Sequence, residues 1–239
     1  MGKLRQTDAV PLYKQLKNII KKDIANGVLK PNERLPSEAE LSKTYEISRI
    51  TVRNAITELV EENLLVKKQG KGTFVCEKKI VRNIVPVMGF SEICRISNLE
   101  PGSRVISASE VAASERDIEV FQLEPHDTVV SILRVRTADS VPVILEKAVY
   151  PKHYAFLLAE DLGASLYDLL RKKYRVDFAH ARKSIELTFA TEKQAGFLNI
   201  SKGYPMILIQ GVVMDTAGKP IHRTDQYIVG DKFKLLIDS

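Results

Sequence analysis

Apolar residues return every three or four positions twice within the first sixty residues. Leu12, Leu16, Ile19, Ile20 and Ile24 line one face of a helix predicted over 12–26, with Pro11 at its first turn and Gly27 just past its end. Val52, Ala55, Ile56, Leu59 and Val60 line a second face, on a helix predicted to start at Arg49. Between the two, Ser37 with Glu40 three residues on is a capping box for a short helix, and Ser48 caps the next one. The spacing of those caps leaves room only for two short helices and a tight turn. Leu64-Leu65-Val66-Lys67-Lys68 and Thr73-Phe74-Val75-Cys76 are then predicted strands closing on Gln69-Gly70-Lys71-Gly72, whose glycines permit the positive backbone angles of a hairpin. Three helices and a hairpin make a winged helix-turn-helix.

Beyond residue 85 the pattern changes. Runs rich in β-branched residues at 129–137, 143–150, 183–189 and 205–214, with shorter ones at 222–228 and 232–237, are bounded by Gly, Pro, Asp or Asn. Helices are predicted at 115–121, 154–159, 165–173 and 192–198. This half is therefore expected to be an α+β domain on a largely antiparallel sheet. Residues 78–85, charged and without periodicity, are expected to connect a first domain at 1–77 to a second at 86–239.

Charge separates the halves as well. Residues 1–80 hold 16 Lys and Arg against 10 Asp and Glu, whereas the remainder holds 20 against 20, so the entire net charge of +6 lies in the first third. Neutralising phosphates supplies most non-specific DNA affinity, and a basic winged helix-turn-helix beside a neutral domain points to double-stranded DNA plus a separate task. On the second predicted helix, Arg49, Thr51 and Arg53 project away from the apolar face towards a major groove. Gly70 lets the wing's backbone approach the duplex while Lys68 and Lys71 meet phosphates.

Other chemistry is sparse. Cys76 and Cys94 make no metal-spaced pair, and His126, His153, His180 and His222 show no ligand spacing, so neither metal nor cofactor is expected. No run approaches the ~18 apolar residues that cross a bilayer, and the start lacks an apolar leader segment, so a cytoplasmic protein is expected.

The chain resembles the GntR family of bacterial transcription regulators. In the first half the resemblance rests on Pro11-Leu12-Tyr13, on Leu35-Pro36-Ser37-Glu38 with Leu41, on Ser48-Arg49-Ile50-Thr51-Val52-Arg53 with Ala55 and Leu59, and on Gly70-Lys71-Gly72-Thr73. The second half resembles the UTRA effector domain of the HutC subgroup, with a chorismate lyase-like fold. Its marks are Gly89-Phe90-Ser91-Glu92, Arg134-Val135-Arg136, Pro142 with Glu146, Tyr150-Pro151, Ser165-Leu166-Tyr167-Asp168-Leu169-Leu170, and Tyr227 ahead of Gly230-Asp231-Lys232-Phe233. The resemblance implies a homodimeric repressor of a catabolic operon that binds operator DNA and a small effector, often a sugar phosphate. It implies DNA contacts from Ser37, Glu38, Ser48, Arg49, Thr51, Arg53, Lys68, Gly70, Lys71 and Gly72. In amino-sugar-phosphate-responsive members the effector-binding positions correspond to Phe90, Ser91, Arg134, Arg136, Glu146, Ser165, Tyr167 and Tyr227. Ile228 and Val229 depart from the polar positions usual there.

Spacing adds its own expectation for several of these. Arg134 and Arg136, two apart in a strand, leave the same face, where a buried pair without carboxylates calls for an anion. The other reading of the pair is an exposed strand face with Glu or Asp opposite. Ser165 can cap the helix through Tyr167 and offer its hydroxyl to a phosphate, with Glu146 and Tyr227 bonding the ligand's other end. The rival classes are a chorismate lyase-like enzyme fused to a DNA-binding domain, for which no activated nucleophile is found, and an architectural or RNA-binding protein, which gives the neutral domain no role.

Overall fold

A computed structural model describes residues 4, 10–62, 64–76 and 79–237. Lys78 of the expected connector, Glu77 before it and most of the first nine residues, where the leader expectation falls, lie outside the described residues. The chain forms two compact units, residues 1–78 and 79–239.

The first unit contains α1 (Leu12–Ala25), α2 (Glu38–Tyr45), α3 (Arg49–Glu61) and a hairpin of β1 (Leu65–Lys68) with β2 (Gly72–Val75). Leu16 and Ile20 of α1 meet Val52, Ala55, Ile56 and Leu59 of α3 in one core, which Leu41 of α2 and Leu65 and Val75 of the hairpin complete. Along the rim of the α1–α3 contact, Lys17 pairs with Glu58 and Glu62, and Lys21 with Glu62. The apolar periodicity of α1 and α3 thus sets the packing that holds α2 and the hairpin in place.

The second unit is built on a six-stranded antiparallel sheet. It contains β4 (Pro101–Ala112), β5 (Thr128–Ala138), β6 (Val141–Pro151), β7 (His180–Phe189), β8 (Pro205–Met214) and β9 (Pro220–Val229), in the spatial order β4-β5-β6-β9-β8-β7. Side chains alternate between faces along each strand. Ile132, Ala148 and Tyr150 pack on one face with Leu166 and Leu170 of α6 (Leu166–Lys172), and Ile144, Ile209 and Ile228 on the same face with α4 (Phe90–Ile96). On the other face Val135, Leu145, Met206 and Val229 pack against α7 (Glu192–Leu198), while α5 (Glu115–Phe121) lies over β9. A 3-10 helix (Lys152–Ala159) follows β6 where an ordinary helix over 154–159 is expected.

Three elements go beyond the sequence reading. Within the stretch taken as a connector, Ile80–Asn83 forms β3, paired in parallel with β10 (Phe233–Leu236), because Ile80 and Arg82 alternate inward. β4 escapes pattern recognition because it is a largely exposed edge strand whose register shifts between Val105 and Ser107. The third, α4, is a single short helix of seven residues.

Candidate functional site

On the first unit, the Ser37 hydroxyl accepts from the Glu40 backbone N–H while the Glu40 carboxylate accepts from the Ser37 N–H at 2.8 Å, so α2 opens on a complete capping box. Glu46 turns the chain in left-handed conformation at φ 54°. Ser48 then caps α3, accepting from the Thr51 N–H, and its hydroxyl lies 2.8 Å from that of Thr51. With Val52, Ala55 and Ile56 buried, the helical period leaves Arg49, Arg53 and Asn54 exposed. At the wing, Gly70 and Gly72 hold φ of 70° and 115°, and a Cβ on Gly72 would stand 2.9 Å from the Arg34 guanidinium nitrogen Nε. Lys68 extends its ammonium over the Phe74 ring at 4.7 Å, and Lys71 is exposed beside it.

The ten expected DNA positions are therefore gathered at the start of α2, the start of α3 and the wing. They are not equivalent. The Arg53 guanidinium donates through Nε and Nη2 to Glu38 at 3.1 and 3.0 Å, with Lys67 4.0 Å from the same carboxylate. Arg49 and Lys71 form no ion pair among the described residues.

On the second unit a cavity lies on the sheet face covered by α4 and α6. Arg134 of β5, Glu146 of β6 and Gln226 of β9 are directly opposite one another in register, so their side chains form one row across three adjacent strands. Arg134 Nη2 donates to Glu146 Oε1 at 2.5 Å, and Gln226 Nε2 donates to Glu146 Oε2 at 2.8 Å. Arg82 of β3 extends the row, donating Nη1 to Gln226 Oε1 at 2.8 Å. Burial alone would raise the Glu146 carboxyl, but Arg134 and Arg136 outweigh it and hold it at about 2. Through Nη1, Arg134 also reaches the carbonyls of Leu162 and Ala164, tying down the segment before α6.

Arg136 is different. It is 3% exposed, donates one bond to the Ser91 hydroxyl at 3.1 Å and lies 5.0 Å from the Phe90 ring centroid, while Nε and Nη1 have no partner among the described residues. Burial pulls its pKa down to about 10. Ser165 caps α6, its hydroxyl accepting from the Asp168 N–H. Tyr167 places its hydroxyl 3.0 Å from His222 Nε2, and burial drives that imidazole down to about 4, so it is neutral near pH 7.

Seven of the eight expected effector positions thus line one cavity. Tyr227 does not. The alternation of β9 sends it to the opposite face, against the cluster of Val135, Leu145 and Val229, and the cavity-facing residues of that strand are His222, Thr224 and Gln226. Arg134 also departs from the expectation of a pair without carboxylates, because Glu146 stands opposite it. Both arginines are nonetheless buried, so an exposed strand face is ruled out. Among the residues absent from the sequence reading are Arg82 and Lys183, which line the cavity's far wall. The period of two on β9 could have found His222 and Gln226, whereas no local signal brings Arg82 to this sheet.

The cavity as it stands has a volume of about 40 Å³, room for water and not for a sugar. Ser91, Arg136 and Ser165 separate it from an outer basin of about 500 Å³ that also carries Arg95 and Lys172. Among the described residues no helix is long and apolar enough to cross a membrane.

Residues 12–75 match the pattern of the bacterial regulatory proteins of the gntR family, and residues 97–234 that of the UTRA domain. The chain is 34% identical over 223 residues to the uncharacterized HTH-type transcriptional regulator YurK of Bacillus subtilis, covering 92% of this chain and 91% of that protein. It is 31% identical to the HTH-type transcriptional repressor NagR of the same organism, covering 94% and 95%. In fold it is similar to the crystal structure of PhnF from Mycobacterium smegmatis, with a TM-score of 0.76 at 23% identity over 96% of this chain and 99% of that one.

Proposed function

The chain belongs to the GntR family of bacterial regulatory proteins and carries a UTRA domain, which makes it a DNA-binding transcription regulator, and we propose that it represses a catabolic operon under the control of a small phosphorylated metabolite. The single observation that carries the effector class is Arg136. A guanidinium 3% exposed with two partnerless nitrogens, beside the Ser91 hydroxyl and a cavity also lined by Ser165 and Tyr167, is costly unless an anion arrives. A phosphate monoester offers the charge and the acceptor oxygens that those donors lack. Repression agrees with the name of the relative NagR, a transcriptional repressor.

A ligand larger than water must widen the present cavity, and the wall of Ser91, Arg136 and Ser165 is the boundary towards the outer basin. The effector therefore binds an opened cavity better than this closed one, and that difference in affinity is what can shift operator binding. By linkage, operator DNA changes effector affinity by the same factor.

A second copy of the chain completes the operator reader, since a two-fold protein matches an inverted repeat. Ile185, Leu187 and Phe189 are 42%, 71% and 58% exposed on one face of the edge strand β7 and are the surface proposed for that contact. Such a regulator acts in the cytoplasm, where the operator is. The test of the whole reading is fluorescence anisotropy of operator duplex titrated with protein, with and without sugar phosphates. Binding that no phosphorylated compound alters, or that is equally altered by the unphosphorylated sugars, defeats the effector assignment and leaves DNA binding standing.

A further inference from the structure

The far wall of the cavity carries charge that a phosphate near Arg136 leaves unused. Arg82 is 7% exposed and donates to the Gln226 carboxamide, with no ion pair to any carboxylate among the described residues. Lys183 of β7 lines the same wall, its ammonium donating to the carbonyls of Ile84 and Pro86, at 2.6 and 3.2 Å, and forming no ion pair among the described residues. Arg82, Arg134, Arg136 and Lys183 thus surround a cavity whose single carboxylate among the described residues is Glu146. A phosphate near pH 7 contributes about −1.5 to −2, which leaves positive charge over.

This surplus is not a habit of the fold. On the opposite face of the same sheet, Arg223 pairs with Asp117 and Asp225, and Arg116 with Asp225, so two cations meet two carboxylates. Buried charge that only supports the structure is matched, as desolvation requires. Nor can the cavity welcome an amine readily, because both oxygens of Glu146 are already engaged by Arg134 and Gln226, and His222 is not acidic.

Resting on the phosphate reading above, we infer that the effector carries a second acidic group, a carboxylate opposite its phosphate, held by Arg82 with Lys183, so that the ligand is a phosphorylated sugar acid. The row geometry fits such a molecule. Gln226, which Arg82 touches, lies on β9, two strand positions from β5, a span of about 10 Å at the usual strand spacing and comparable to a short sugar chain.

The test is calorimetric titration of the full chain with inorganic phosphate, glucose 6-phosphate, glucosamine 6-phosphate and 6-phosphogluconate, for wild type, Arg82→Gln, Arg82→Lys and Arg136→Gln. Wild type is expected to bind 6-phosphogluconate about tenfold or more tighter than glucose 6-phosphate, with the amino sugar weakest. Arg82→Gln should bring 6-phosphogluconate down to the level of glucose 6-phosphate, a loss about tenfold larger than that of the neutral sugar phosphate, and Arg82→Lys should keep part of the preference. Equal affinity of wild type for the acid and the neutral sugar phosphate, tighter binding of the amino sugar, or an Arg82→Gln loss of equal size for both phosphates overturns the second acid site. Binding of all four ligands that Arg136→Gln leaves intact overturns the phosphate reading beneath it, and no binding of any of them overturns both.

Discussion

Arg134 and Glu146 face each other across β5 and β6 and close an ion pair in which both side chains are less than a tenth exposed. Two residues along β5, Arg136 on the same face has no such partner among the described residues. Arg134→Ala should therefore destabilise the protein by about 3 to 5 kcal/mol, since it strands a buried carboxylate and unties the carbonyls of Leu162 and Ala164. Arg136→Ala removes a guanidinium already short of partners and should cost less than about 1 kcal/mol while abolishing the response to phosphates. Urea denaturation of both variants checks this, and equal losses would show that the two arginines share one role.

Acid should weaken the fold in a window set by His222. Its folded pKa of about 4 lies below the ordinary 6.5, so between those values the unfolded chain takes up a proton that the folded chain refuses. Stability is then full above pH 6.5 and falls as pH drops towards 4, by up to about 3 kcal/mol. Glu146, held at about 2 against an ordinary 4.5, adds a further loss from 4.5 downward. His222→Gln should flatten the upper window and leave the lower one, as read from melting temperatures across pH.

How much of this was legible in the sequence differs between the units. α1, α3 and the hairpin follow from local period and capping, so Arg49 and Lys71 could be placed before any coordinates. In the second unit the strands carrying Arg134, Arg136 and Glu146 are apolar runs with clear ends, and parity along β5 put both arginines on one face. Arg82 was out of reach because a four-residue strand inside a charged stretch gains its meaning from pairing with β10, some 150 residues later. Tyr227 shows the cost of a one-residue offset, which in a strand exchanges one face for the other. Motif order alone does not fix that parity.

Dimerisation should depend on β7. Leu187→Lys places a charge in the middle of the exposed stripe of Ile185, Leu187 and Phe189, and should yield monomers at micromolar concentration by sedimentation without lowering the melting temperature of the unit itself. A variant that stays dimeric moves the contact to another surface.

Within the first unit, Arg49 and Lys71 should separate two kinds of contact. Arg49→Ala is expected to cost about 1 to 3 kcal/mol on the operator and to relax base preference, because α3 presents it exposed at its first position. Lys71→Ala should weaken operator and random duplex alike and reduce the salt slope by about 1. Equal losses on both duplexes for Arg49→Ala would remove it from base reading.

Glu38 offers the sharpest test of how the recognition surface is held. Its carboxylate takes two donors from Arg53 and lies near Lys67, so in the free protein it occupies charge that DNA could use. Arg53 is 61% exposed, and a pair of that kind contributes little to stability. Glu38→Gln should therefore leave the melting temperature unchanged, free the Arg53 guanidinium for a phosphate, raise affinity for random duplex and steepen the salt dependence by about one counterion. Operator affinity would rise less than random affinity, because Arg53 released from Glu38 loses its fixed orientation at the groove. Anisotropy titrations on both duplexes at several salt concentrations measure this. If Glu38→Gln instead loses operator affinity and leaves random DNA untouched, the carboxylate itself meets a base, as an acidic side chain can at a cytosine amino group.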